Sequence, residues 1–173
     1  MSKILWQPND SSLRSSAMYR FMCMHGYDNY NDLHHWSITE REKFWISIIN
    51  FCGIRFSKPY KYALTENDGM ASAKWFSGGE LNFAEHLLKN NGNQPAIIFR
   101  GEKGLRSELS FDELRNQVAS VAKYLKEIGL KKNDCVAAFL PNCPEAIIAM
   151  LACSSLGIIW SSCSFEIQLS RPK

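Results

Sequence analysis

The sequence predicts an α/β protein: a helical N-terminal cap followed by the first βα units of a parallel sheet, truncated. Three observations predict it. Residues 109–164 read as strand, helix, strand, helix, strand, and strands joined through helices pair in parallel. Residues 1–69 carry aromatic side chains at helical spacing and too little period-two sequence for a sheet. The final strand, residues 158–163, is followed by only ten residues, whereas a parallel strand calls for more sheet and helix around it. Left as an edge, that strand would expose unpaired backbone, an aggregation hazard.

In chain order, residues 1–10 read as an irregular arm with Trp6 and Pro8. Ser12 can cap a helix that places Leu13, Ala17, Phe21 and Met24 on one face and stops at Gly26. Residues 27–32 are turn-rich. Thr39 and Glu42 make a T-x-x-E capping box for a helix burying Phe44, Trp45, Ile48, Ile49 and Cys52, ended by Gly53. These helices are expected to pack on the later α/β core. Residues 55–69 read as a linker that mixes Arg55, Lys58 and Lys61 with Phe56, Tyr60 and Tyr62. Basic and aromatic residues together can bind RNA or a phosphate. The reading preferred is an extended arm whose rings pack while its lysines reach water.

Trp75 and Phe76 lead into Gly78-Gly79, a turn with positive φ, and Asn82 caps a helix with Phe83, Leu87 and Leu88, Glu85 completing an N-x-x-E pattern. A Gly-Gly turn before a helix can cradle a phosphate; an anchored tight turn is the simpler reading. Residues 94–100 form a strand, 101–104 a hairpin turn, and 105–109 return.

Ser110 and Glu113 form a capping box. Phe111, Leu114, Val118, Val121, Ala122, Leu125 and Ile128 then make one apolar stripe, and Gly129 supplies the left-handed C-cap. Residues 135–140 are a continuous apolar run, as expected for a strand covered on both faces. Pro141 and Asn142 end it. Pro144 suits the first turn of the next helix, with Asn142 or Cys143 as its cap and Glu145 complementing the dipole. That helix, residues 145–156, is apolar nearly all round and should be buried. Gly157 ends it before the last strand.

Of 173 residues, 46% are hydrophobic and 21% charged, an ordinary mixture sufficient for one domain core. A net charge of +3 is too mild to argue for nucleic acid or anionic membrane. No apolar run reaches the roughly 18 residues of a membrane helix, and Lys3 is followed by no signal-like core, so a cytoplasmic protein is expected. The six cysteines, none in C-x-x-C, read as reduced core thiols of an intracellular protein.

Chemistry-bearing motifs are few. The phosphate-loop, dinucleotide, nucleophile-elbow and zinc-protease patterns are all missing. Cys23 with His25, and the pair His34-His35, are the best metal candidates. Their spacing matches no standard zinc site, and adjacent histidines on a helix diverge. Asn142 stands where a strand ends and a helix begins, the usual ligand edge of a parallel sheet; a cap without a ligand is the simpler reading. No catalytic, cofactor-binding or metal residue is assigned.

An ordered set of motifs carries a resemblance. It comprises Leu5-Trp6-Gln7-Pro8, His35-Trp36-Ser37, Phe44-Trp45, Trp75-Phe76-x-Gly78-Gly79-x-Leu81-Asn82, Ser110-Phe111-x-Glu113-Leu114, Leu140-Pro141-Asn142-x-Pro144-Glu145-Ala146 and the whole of residues 149–164. The chain resembles the start of the acetoacetyl-CoA synthetases (acetoacetate–CoA ligases), within the acyl-adenylate-forming, AMP-binding superfamily. Its aromatic N-terminal region is similar to the N-terminal domain of acetyl-CoA synthetases. The resemblance implies residues 1–69 as an acetyl-CoA-synthetase-like N-terminal region with linker, and residues 70–173 as an incomplete AMP-binding domain. It implies acetoacetate, ATP and CoA as family substrates, with Mg²⁺: acetoacetyl-AMP and pyrophosphate form, then CoA displaces AMP. The family's phosphate loop, adenine and ribose motifs and C-terminal lysine find no match here. Where the family continues into a Pro-Asp-Phe-Gly-like turn, this chain departs at Phe165. Arg171-Pro172-Lys173 lacks the glycines and hydroxyl run of that loop. The expectation is therefore a fragment or short isoform, inactive alone and holding no cofactor, with no nucleic-acid or membrane partner. Three alternatives stand beside it: a regulatory isoform, a nucleotide-binding module at the Asn142 edge, and RNA binding through residues 55–62.

Overall fold

The computed structural model describes residues 5–66 and 69–163; the departure at Phe165 lies outside the described residues. The chain forms two compact units, residues 1–80 and 81–173.

The first unit opens with four helices. The single helix expected from Ser12 to Met24 is in fact two, α1 (Asp10–Ser15) and α2 (Ala17–Met24). Asn9, not Ser12, caps α1, accepting the Ser12 amide at 2.8 Å. Ser16 breaks the run because it serves both helices. Its hydroxyl donates to the Leu13 carbonyl (2.8 Å) and accepts the Tyr19 amide (3.1 Å), in extended backbone. α3 (Tyr30–Thr39), capped by Asn29, takes up part of the stretch read as turns. The Thr39–Glu42 capping box does not form: the Thr39 hydroxyl donates to the His35 carbonyl of its own helix at 2.8 Å, and α4 (Arg41–Cys52) starts from Glu40 without a side-chain cap. The core of the four helices is Phe21, Met22 and Leu33, with Trp36, Phe44, Ile48 and Phe51 packed around it. Phe21 meets Phe44 and Phe51 edge-on at 5.9 and 5.1 Å.

The linker reading of residues 55–69 is corrected. It contains β1 (Tyr62–Thr65), antiparallel to β2 (Lys74–Ser77), with Leu64 opposite Trp75, and a bridge joins Lys58 to Glu80. The turn after β2 also differs from expectation. Gly78 has positive φ (+83°), but the other left-handed residue is Phe76 (+48°). Gly79 is needed for space: a Cβ there would lie 2.8 Å from the Phe56 ring.

The second unit begins at α5 (Phe83–Leu87), capped by Asn82 as expected. β3 (Pro95–Arg100) and β4 (Arg106–Ser110) form the expected antiparallel hairpin. α6 (Phe111–Glu127) carries the full Ser110–Glu113 capping box, and those hydrogen bonds hold the Glu113 carboxyl below the usual carboxylate range. β5 (Cys135–Phe139) and β6 (Ile159–Cys163), joined through α7 (Pro144–Ser155), pair in parallel from Cys135–Ile159 to Phe139–Cys163. Two expectations fail here. β4 belongs to the hairpin, not the parallel sheet. β5 is covered on one face only: Val136 and Ala138 are half-buried, while Cys135, Ala137 and Phe139 are exposed. Its apolar run alone did not distinguish one covered face from two.

The core joins Leu114, Val118 and Leu125 of α6 to Ile148, Leu151, Ala152 and Cys153 of α7, with Ala84 and Ile158. No cysteine is in a disulfide. Only Cys153 is a core thiol, and burial raises its pKa; Cys23, Cys52, Cys135 and Cys163 are exposed, which corrects the reading of them as core residues.

Candidate functional site

The junction of β5 with α7 holds Asn142, which the sequence sets at the usual ligand edge of a parallel sheet but reads more simply as a cap without a ligand. The Leu140 amide donates to the Cys163 carbonyl at 3.1 Å, so the parallel ladder runs one residue past β5. The chain then turns through Pro141 and Asn142. Of the two cap candidates, the structure selects Cys143. It is the N-cap by backbone (φ −138°, ψ 163°), with no side-chain hydrogen bond. Pro144 takes the first helical position, where a missing amide costs nothing.

Two depressions flank this helix start. One, of about 430 Å³, is lined by Ile97 to Arg100 of β3 and by Asn142, Cys143, Pro144 and Ile147. Its cation is Arg100, exposed at the strand end. Arg100 stands opposite Arg106, which is paired with Glu108 at 2.6 Å, and Arg100 has no ion pair of its own among the described residues. The other, of about 510 Å³, lies between α6 and α7. Val121, Leu140, Ile148 and Ala149 make its apolar floor, and Asn116, Gln117, Ser120 and Glu145 its polar rim.

This is binding chemistry. The β3-side cavity offers one guanidinium, one carboxamide and one thiol over an apolar floor. Nothing in it pairs a nucleophile with a base. Asn142 therefore does lie at a cavity, and Arg100, which the sequence reading did not single out, joins it from a strand 42 positions earlier.

The metal candidates do not come together. His34 stacks on Tyr30, with centroids 6.0 Å apart, and His25 is engaged by Ser47. Among the described residues, no three of His, Cys, Asp and Glu converge on a common point. Of the rings in the basic-aromatic stretch, Tyr60 meets Phe56 at 5.3 Å and also Phe76 of β2 at 5.1 Å, both edge-on, while Tyr62 is exposed.

Comparison with known proteins finds two family models whose matches overlap at residues 83–87. Residues 83–170 match the family described as AMP-binding enzyme, and residues 30–87 match acetyl-coenzyme A synthetase N-terminus. The chain is similar to the acetoacetyl-CoA synthetase of Mus musculus, at 37% identity over 94% of this chain and 25% of that protein. It is similar to the acetoacetyl-coenzyme A synthetase of Rhizobium meliloti (strain 1021), at 39% over 92% of this chain and 25% of that protein. The malonamoyl-CoA synthetase of Penicillium aethiopicum is 36% identical over 94% of this chain and 24% of that protein. Among solved structures, acetoacetyl-CoA synthetase from Streptomyces lividans superposes with a TM-score of 0.86 at 34% identity, covering 94% of this chain and 27% of that one. The chain thus spans about a quarter of the length of the relatives it matches.

Proposed function

The chain belongs to the AMP-binding enzyme family, and from that premise we propose that it serves as the N-terminal part of an acetoacetate–CoA ligase. The observation that carries the reading is likeness to acetoacetyl-CoA synthetases along almost the whole chain, in sequence and in backbone. In this reading the carboxylate of acetoacetate attacks ATP, releasing pyrophosphate, and the CoA thiol then displaces AMP from acetoacetyl-AMP. The parts contributed here are residues 1–69 as the acetyl-CoA-synthetase-like N-terminal region and residues 70–173 as the opening of the AMP-binding domain. Among the described residues no three of His, Cys, Asp and Glu converge as a metal cage; Mg²⁺ in this reaction would be held largely by the phosphates of ATP.

In this reading the chain alone forms no acetoacetyl-CoA: neither cavity beside the start of α7 pairs an acid with a base, and the sequence carries no phosphate-loop motif. The reading places it in the cytoplasm, without nucleic-acid or membrane partners. Supporting that are the mild charge and the packing of Phe56, Tyr60 and Phe76 against one another.

The test is a chimera in which residues 5–163 replace the matching quarter of the Streptomyces lividans enzyme. Acetoacetate-dependent release of AMP and pyrophosphate is expected from the chimera and none from the chain alone. A folded chimera that adenylates a different acid in preference to acetoacetate would overturn the substrate, and acetoacetate-dependent release of AMP by the isolated chain would overturn the division of labour. A second reading, a nucleotide-binding module, draws on Arg100 and Asn142 lining one cavity. It requires ATP or CoA to raise the unfolding midpoint saturably and Arg100→Ala to abolish that rise.

A further inference from the structure

The helical unit contains a nucleophile–base pair that the ligase reading leaves unused. Ser47 lies mid-way along α4, and its Oγ is in hydrogen-bonding contact with Nε2 of His25, the residue that closes α2. Two rings hold the imidazole, Phe21 at 4.7 Å and Trp36 at 4.8 Å between centroids. Phe21 is only 3% exposed, so the surface on which the imidazole rests is part of the core. His25 and Ser47 are themselves half-buried and line one open cavity of about 450 Å³. Lys43, Ile46 and Asn50 line it from the same face of α4, at spacings of three and four.

A serine hydroxyl is a weak nucleophile until an adjacent base can take its proton. We propose that Ser47 and His25 form an acyl-acceptor site, at which Ser47 takes an apolar acyl group from an activated ester. Oγ attacks the carbonyl carbon and its proton passes to His25 Nε2. The tetrahedral species collapses, breaking the bond between the acyl carbon and the leaving oxygen. That oxygen departs with the electron pair and receives the proton from His25, leaving an O-acyl ester on Ser47. Water attacking by the same route releases the acid and restores the serine. The Lys43 ammonium and Asn50 amide are the donors the cavity offers to the oxyanion. Lys43 is also paired with Glu40 at 2.8 Å, which raises its pKa and keeps it charged. Met24 and Phe51 supply apolar surface for the acyl chain. Ring packing, not a carboxylate, orients the imidazole: its other nitrogen has no hydrogen-bond partner among the described residues. The site should therefore acylate once faster than it deacylates.

The full chain would be incubated with p-nitrophenyl butyrate, nitrophenolate release followed by absorbance, and the acyl group located by peptide mass mapping. Expected is a burst of about one acyl group per chain on Ser47, absent in Ser47→Ala. General-base assistance is worth about 10²–10⁴-fold, so His25→Gln should slow the burst at least about tenfold. Far-UV circular dichroism checks that each variant is folded. A wild-type chain with no adduct on Ser47 overturns the proposal whatever the variants do. So does an adduct that forms equally fast in folded His25→Gln.

Discussion

Replacing Asn82 by Asp changes one side-chain nitrogen to oxygen and tests whether this residue ties two helices together. The amide oxygen caps α5 by accepting the Glu85 amide at 3.2 Å, and the amide nitrogen donates to the carbonyls of Ser154 and Ser155, each at 3.2 Å, in the last turn of α7. The residue is half-buried and serves helix ends some seventy positions apart. Losing the cap alone costs about 1 kcal/mol, and each donated hydrogen bond contributes about 0.5–1.5 kcal/mol. Asn82→Ser, which keeps a cap oxygen but cannot reach both carbonyls, should therefore lose about 1–2 kcal/mol. Asn82→Ala should lose about 2–3 kcal/mol. Asn82→Asp keeps the cap, forfeits both donors, and sets a carboxylate against the negative end of the α7 dipole, which adds about 0.3–1 kcal/mol to the loss. Folding disfavours that charge, so the carboxyl's folded-state pKa is raised. The penalty is then full above the folded-state pKa and recedes as pH falls and the protonated acid regains a donor. Urea unfolding followed by circular dichroism, near neutral and at acid pH, measures this. Asn82→Asp unfolding at the wild-type midpoint near neutral pH would refute the donation to Ser154 and Ser155.

Other outcomes follow from the same structure. Leu151 is 2% exposed, so Leu151→Ala should cost about 3–5 kcal/mol in urea unfolding, against less than about 1.5 kcal/mol for Ile147→Ala at 38% exposure; equal effects would mean that α7 does not seat as described. Ser110→Ala removes the α6 cap and should cost about 1 kcal/mol by the same measurement. Glu113 has its carboxyl lowered by the Ser110 amide and hydroxyl, so its stabilisation is present above the ordinary carboxylate range and lost as pH falls through the lowered native value. The stability gap between wild type and Glu113→Gln should accordingly close on acidification. Gly79→Ala drives a methyl to 2.8 Å from the Phe56 ring and 3.0 Å from the Phe76 carbonyl, and should cost about 1–3 kcal/mol, whereas alanine at Ser57 nearby should be tolerated within about 1 kcal/mol.

The elements that could be read in advance are those whose deciding contacts lie three or four residues apart. Ser110 and Glu113, Asn82 and Glu85, and the helix-ending Gly53 and Gly129 satisfy backbone groups of their own turn, so the pattern is nearly the structure. Where two local solutions competed, the pattern misled. Ser16 bonds in both directions and splits a continuous apolar stripe. Thr39 spends its hydroxyl on the helix behind it rather than the one ahead. At the candidate site Asn142 was legible as the end of a strand, but Arg100 was not, because nothing in residues 94–100 says which helix start they will lie beside.

By itself, then, the order of residues determined the helix stripes and their caps, the β3–β4 hairpin, the parallel β5–α7–β6 unit, and the ordered motifs that carry the family likeness. Tertiary structure alone decided that β4 pairs with β3 and not with β5, that β1 finds β2 across a stretch that reads as linker, that one face of β5 stays open, and that His25 meets Ser47. The physical reason is the same in each case. A cap or hairpin closes within a few residues, at an entropic cost set by its own sequence. A pairing that no cap or turn signal announces is chosen by the competing surfaces available once those local pieces have formed, and no local window contains them.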